Sequence, residues 1–182
     1  MSDYLYTQTW FMDSELKRLL LEIANPDHVY RILEIGCFEG ISSVFFADNL
    51  LNHKDSRLTC VDPFLTTYND HAKFLTDNEE TRFDYNIKIC RNTDKITVKK
   101  ITSDEFFLKN NFTFNFIYID GCHEYPFITR DMENSFKCLE QGGMMWMDDY
   151  GSFSQPMDQF FEKYKGQYAF LYKGYQCAIV KL

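Results

Sequence analysis

Four short apolar runs each end on a glycine or an acid, and helical spacing fills the intervals between them. RILEIG closes at Gly36, RLTCVD at Asp62, FNFIYID at Asp120, and MMWMDD at Asp148 and Asp149. Near-continuous apolar runs of this length read as strands covered on both faces, which is the condition of a parallel sheet carrying helices. Strands separated by helices make right-handed βαβ units. The pattern therefore predicts an α/β fold and restricts it to a doubly wound sheet.

The spacing predicts strands at about 31–35, 57–62, 95–102, 114–120 and 142–150, the last preceded by a glycine pair that turns the chain. Helices are predicted over 12–24, with Leu16, Leu19, Leu20 and Ile23 on one face, over 41–51, over 124–140, and over 154–164 with Pro156 in the first turn. Residues 79–90 read as a further helix. QYAFLY and YQCAIVKL form a closing hairpin around Lys173 and Gly174, which makes the last two strands antiparallel. The result is a seven-stranded, mostly parallel sheet with an antiparallel carboxy-terminal hairpin and helices on both faces. One domain spans 1–182, with a helical amino-terminal segment over 1–25 and a lid or substrate region over 63–94.

A chain of 182 residues buries about 70% of its unfolded surface. Its net charge is −8 with no basic block, which argues against a nucleic acid partner. No apolar stretch is long enough for a membrane span, and no signal peptide is expected. The six cysteines stand at 37, 60, 90, 122, 138 and 177, none in a Cys-x-x-Cys pair. They read as reduced, without disulfides or structural zinc, in a cytoplasmic location (the host's cytoplasm if the chain is viral).

In doubly wound sheets ligands bind at the carboxyl ends of the strands, near the switch in strand order. Glu34, Asp62, Asp120, Asp148 and Asp149 all fall at or near such ends. The first loop, Glu34-Ile35-Gly36-Cys37-Phe38-Glu39-Gly40, departs from the dinucleotide fingerprint by placing Phe38 where its middle glycine stands. It also lacks the Gly-Lys-Ser/Thr ending of a phosphate loop. An acidic loop suits a cationic ligand, and the alternative account is a plain βα turn. Asp62, about 20 residues further on, stands where a ribose diol lies in such folds; a turn before Pro63 is the alternative. An adenosine ligand without phosphates satisfies both observations, and S-adenosylmethionine is one.

ILEIGCFEG, the acid in CVDPF, Ser103-Asp104, YIDGCHEY and GGMMWMDDYG together resemble class I S-adenosylmethionine-dependent methyltransferases, which have a Rossmann-like fold. More narrowly, the chain resembles sugar O-methyltransferases of the macrocin and cephalosporin-hydroxylase type and the methyltransferase domains of chlorovirus glycan-modifying proteins. The resemblance implies that Glu34, Gly36, Cys37, Phe38 and Gly40 line the methionine and ribose, that Asp62 holds the ribose hydroxyls, and that Ser103 and Asp104 flank the adenine. Asp120 belongs to the cofactor set as well.

His123 is the one histidine embedded in a motif. An unperturbed imidazole titrates near ~6.5, which suits proton transfer; capping the next helix is the alternative. Asp148 and Asp149 repel unless they share a counter-ion, and with Asp120 they offer oxygen ligands to magnesium or manganese. Metal-dependent members of the resembled family carry acids at those three positions. Related sugar enzymes often have an acid where Cys122 stands, so the base falls to His123 or Asp148. Tyr68 and His71 in the lid region and Trp10 are lesser candidates. The expected reaction is metal-assisted methyl transfer to the free hydroxyl of a small molecule or glycan. An N-methyltransferase without metal and a non-catalytic S-adenosylmethionine-binding module are the alternatives.

Overall fold

The computed structural model describes residues 3–65 and 78–182. Tyr68 and His71 lie outside the described residues. Seven strands form one sheet in the order β3-β2-β1-β4-β5-β7-β6. They are β1 (Arg31–Ile35), β2 (Arg57–Val61), β3 (Ile96–Lys99), β4 (Phe114–Ile119), β5 (Leu139–Met147), β6 (Tyr168–Lys173) and β7 (Cys177–Lys181). β1 to β5 are parallel, and β7 runs antiparallel to both β5 and β6. The strand order reverses between β1 and β4, which opens the crevice at their carboxyl ends.

Among the described residues six α-helices cover the faces: α1 (Glu15–Ile23), α2 (Ile41–Leu50), α3 (Glu79–Ile89), α4 (Ser103–Lys109), α5 (Phe127–Cys138) and α6 (Ser154–Lys163). Alternate strand residues point to opposite faces, so the core divides in two. Ile32, Phe116 and Tyr118 pack with Leu16, Leu20, Phe46 and Phe83 from α1 to α3. Leu33, Ile35, Ile117 and Ile119 pack with Phe106, Met132, Phe136 and Phe160 from α4 to α6. No helix is long and apolar enough to cross a membrane among the described residues.

Several boundaries differ from the sequence expectations. β3 stops at Lys99, because Thr102 is taken up as the amino-terminal cap of α4, its hydroxyl accepting the Glu105 N–H and Glu105 reaching back. α5 begins at Phe127, three residues later than the spacing suggests. The glycine pair at 142–143 lies inside β5, which already starts at Leu139. The register with β4 jumps from Phe114↔Leu139 to Phe116↔Met144, so the glycines form a bulge and not a turn. Gly142 takes φ +75° there, a value glycine adopts at little cost.

Candidate active site

Hydrogen bonds continue one residue past each central strand and set the rim. Gly36 N–H donates to Val61 O at 3.0 Å, Asp120 N–H to Ile35 O at 2.8 Å, and Asp148 N–H to Ile119 O at 2.9 Å. Three acids, Asp62, Asp120 and Asp148, are thereby fixed at one level above the sheet. Gly36 sits at φ +83°, and a Cβ there would lie 2.1 Å from the Asp120 carbonyl oxygen. No side chain fits, so this glycine is what lets the first loop close over the end of β4.

The loop's shape is held by Asp62. Its Oδ2 accepts the backbone N–H groups of Cys37 at 2.7 Å and Phe38 at 3.0 Å, and its Oδ1 accepts that of Phe64 at 2.7 Å. Burial pushes the Asp62 carboxyl up from its usual range, and the three backbone donors oppose that shift. Phe38 takes φ +48°, and its ring stacks on Trp10 with centroids 5.9 Å apart.

Beside this loop lies a cavity of about 950 Å³, at the upper end of the ~300–1,000 Å³ usual for small-molecule sites. Gly36, Cys37, Phe38, Asp62, Ser103, Asp104, Asp120, His123, Asp148 and Asp149 all line it. Most sequence candidates therefore meet at one cavity. Glu34 and Gly40 do not. Glu34 is fully buried and turned toward α2, where it accepts the hydroxyls of Ser42 and Ser43 and lies 3.5 Å from Cys60 Sγ. Desolvation raises its carboxyl to about 7. Glu34, Cys37 and Cys60 form a compact buried group, but the two serine hydroxyls already occupy the Glu34 oxygens. Gly40 opens α2 at φ +80°, and its close neighbour is the Phe83 ring. Its role is packing beneath the loop.

Next to the loop, Asp120 and Asp148 are linked through Tyr118. Its hydroxyl lies 2.7 Å from Asp148 Oδ2 and 3.0 Å from Asp120 Oδ2. Tyr118 and Asp120 share a strand face at period two, and the parallel register of β4 and β5 brings Asp148 alongside. Burial and the neighbouring acids Asp148 and Asp149 hold the Asp120 carboxyl well above the usual range. Asp148 Oδ1 accepts the Asp149 N–H at 2.7 Å, so both its oxygens are engaged. Asp149 takes φ +56°, which swings its side chain away from Asp148. Its Oδ1 accepts the Tyr175 hydroxyl at 2.6 Å, and its Oδ2 lies 3.4 Å from His123 Nε2.

His123 stacks on Phe153, 4.7 Å between centroids and 9° between planes, and its Nε2 lies 3.9 Å from Asp120 Oδ1. Ligand atoms of Asp120, His123 and Asp149 fall within 4.8 Å of one another. The sequence grouped Asp120, Asp148 and Asp149. The geometry places His123 in the compact trio and Asp148 one hydrogen bond away.

Three residues of the site were not foreseen, two of them, Asp131 and Tyr175, lining the cavity. Asp131 on α5 is buried, with its carboxyl bonded to Ser103 and raised to about 7, mainly by desolvation. The spacing of Ile128, Asp131, Met132 and Ser135 already put that acid on the buried face of its helix. Tyr118 lay within the most apolar strand at period two from Asp120, which is also a readable signal. Tyr175 arrives through the β6–β7 turn, and nothing local in the sequence announces it.

A doubly wound sheet with a cavity of this size at its switch point, rimmed by strand-end acids, defines an α/β enzyme that binds a small ligand. Residues 33–150 match the family model described as Methyltransferase domain, and the chain belongs to that family. Solved structures share the fold at low identity. An O-methyltransferase from Bacillus cereus, in complex with SAH, superposes with a TM-score of 0.67 at 18% identity over 92% of this chain and 82% of that one. TomG, an O-methyltransferase from Streptomyces achromogenes involved in tomaymycin synthesis and bound to SAM, gives 0.66 at 18% identity over 92% and 80%. An rRNA methylase from Streptococcus thermophilus gives 0.62 at 11% over 98% and 99%. No curated protein matches the chain.

Proposed function

We propose that the protein transfers the methyl group of S-adenosylmethionine to a hydroxyl of a small molecule, a sugar or glycan, with a magnesium or manganese ion assisting. The observation that carries this reading is one cavity lined both by the Asp62-clamped loop and by the Asp120, His123 and Asp149 trio. The two solved O-methyltransferases with SAH and SAM support the cofactor, and the Gly-Gly…Asp-Asp-Tyr and Ile-Asp-Gly-x-His-x-Tyr motifs support the sugar acceptor.

The loop from Gly36 to Phe38 takes the methionine and ribose. Asp62 Oδ1 carries one backbone bond and keeps acceptor capacity for the ribose hydroxyls. Ser103, Asp104 and Asp131 form the adenine end, where Arg130 holds Asp104 at 2.8 Å.

A donor set of carboxylates fits a divalent cation of the magnesium or manganese kind. Asp120 and Asp149 would hold it, with Asp148 completing the set. When bound, such an ion lowers the pKa of a coordinated hydroxyl and orients it. His123 then accepts the acceptor's proton, and the flanking carboxylates stabilise the imidazolium. The 4.8 Å grouping favours one second reading, in which His123 is itself a ligand and Asp148 takes the proton.

Calorimetry with S-adenosylmethionine, followed by turnover of hydroxyl acceptors with and without exhaustive chelation, tests the proposal. Cofactor binding with chelator-sensitive turnover, restored by magnesium or manganese, supports it. Full turnover after chelation rejects the metal, and absence of cofactor binding rejects the whole reading.

A further inference from the structure

We propose that the acceptor end of the cavity selects a positively charged hydroxyl compound, an amine-bearing sugar or polyol, over phosphorylated or carboxylated ones. This rests on the methyl-transfer reading above and narrows its substrate class.

Charge is the first observation. Among the described residues no Lys or Arg lines the cavity, while acids line it from end to end. The nearest arginines act from outside the wall. Arg18 pairs with Glu15 at 2.8 Å, Arg82 reaches Glu79 at 4.0 Å, and Arg130 pairs with Asp104 at 2.8 Å. Those pairs leave Asp62, engaged by backbone donors, Asp131, engaged by Ser103, and Asp13 with Asp120, Asp148 and Asp149. A bound divalent cation would offset part of the charge of Asp120, Asp148 and Asp149, and Asp13 adds a further carboxylate. The acceptor therefore enters a negative field inside low-dielectric walls, which concentrates cations and repels anions.

Aromatic rings that line the same cavity are the second observation. Trp10, stacked on Phe38, is 55% exposed, and Tyr175, tethered to Asp149, is 59% exposed. Both line the cavity. The two walls are tied together, since the Leu16 N–H donates to Gln176 Oε1 at 2.9 Å. Asp13 and Trp10 share one short 3₁₀ turn, Trp10–Asp13. Aromatic faces interleaved with carboxylates are the surroundings a protonated amine prefers to bulk water. A phosphate or carboxylate would be desolvated there with no lysine or arginine among the described lining residues to receive it, which is discrimination by repulsion. The same chemistry disfavours an RNA backbone, in keeping with the acidic composition.

The test uses matched acceptors on two scaffolds. The sugars are methyl glucosaminide, methyl glucoside, methyl glucuronide and glucose 6-phosphate; the diols are dopamine, catechol and 3,4-dihydroxybenzoate. Methyl transfer from radiolabelled S-adenosylmethionine is measured with magnesium present, after calorimetry has shown that the protein binds the cofactor. The expected result is turnover of an amine acceptor with kcat/KM at least about tenfold above its anionic counterpart, a ratio that Asp13→Asn narrows. Equal or better turnover of the anionic member overturns the proposal and leaves the methyl-transfer reading standing. So does failure of both amines in a chain that binds the cofactor. A chain that binds no cofactor overturns the reading beneath it.

Discussion

The Asp62 carboxylate is bonded to the Cys37 backbone: Oδ2 accepts the Cys37 N–H at 2.7 Å. The residue that reads as a ribose partner is thus also the clamp that shapes the loop proposed to hold the cofactor. Its removal acts twice, on loop geometry and on direct recognition. Asp62→Ala is expected to weaken S-adenosylmethionine binding about 10–100-fold, since hydrogen bonds to a charged group are worth about 1.5–3 kcal/mol. Asp62→Asn keeps one oxygen for the Cys37 and Phe38 donors but turns an amide toward the Phe64 N–H, so its loss is smaller. Calorimetric titration of the three proteins checks this order, and an unchanged affinity in Asp62→Ala removes the residue from the cofactor site.

Tyr118 places one hydroxyl between two acids, with 2.7 Å to Asp148 and 3.0 Å to Asp120. The hydroxyl has a single proton to donate, so it orders the pair without neutralising it. Tyr118→Phe keeps the ring packing against Phe11 and Phe46 and removes only that link. The expected cost is about 1–3 kcal/mol of stability and about 10–100-fold in manganese affinity, the usual effect of losing a partner that orients ligands. Thermal unfolding and manganese titration read the two separately. A variant with wild-type manganese affinity would show that the bridge is structural only.

Glu34 gives the stability curve a slope of known sign. Its carboxyl is raised to about 7 in the folded protein by desolvation, against about 4.3 in an unfolded chain. Between those values the folded state binds more protons than the unfolded one, so stability falls as pH rises from about 4.5 to about 7 and levels off above. Asp131, also raised to about 7, acts in the same direction. Glu105 and Glu140 are shifted downward by their hydrogen bonds and act oppositely, their contribution being lost as pH falls below their unfolded range. Denaturant unfolding of the apo chain should therefore show greater stability near pH 5.5 than near pH 7.5. Glu34→Gln should shrink that difference, and an unaltered slope would mean that Glu34 does not carry it.

The strands and the rim acids were legible because a buried parallel strand leaves a physical mark: an apolar run that stops where the chain reaches the crevice. Glu34 shows the limit of that logic. An acid inside a strand covered on both faces has two directions open to it, and periodicity cannot say whether it looks at a ligand or at the serines of the next helix. The bulge at Gly142 and Gly143 was read as a turn because glycine permits either, and only the β4 register distinguishes them. Tyr175 reaches Asp149 across an antiparallel hairpin packed at the sheet edge, a contact set by topology and not by any local pattern. Asp149 leaves the line of Asp148 through a positive φ, a backbone choice that a pair of adjacent aspartates does not specify.

His123 is where the two readings of the site separate. Its Nε2 lies 3.4 Å from Asp149 Oδ2 and 3.9 Å from Asp120 Oδ1, distances compatible with an imidazolium between carboxylates and with a shared ion. His123→Ala is expected to lower turnover about 10²–10⁴-fold, the range for loss of a positioned base. Cofactor affinity should stay near wild type, because the ring is held by stacking on Phe153 and His123 is not among the residues assigned to the adenosine. Manganese titration then decides the role. A base leaves manganese affinity within a few-fold of wild type, and free imidazole added to the variant should restore part of the rate by entering the vacated space beside Phe153. A ligand instead costs affinity along with turnover, and excess manganese, not imidazole, brings the rate back. Near-normal turnover in the variant would remove His123 from the reaction altogether and leave Asp148 as the group that takes the proton.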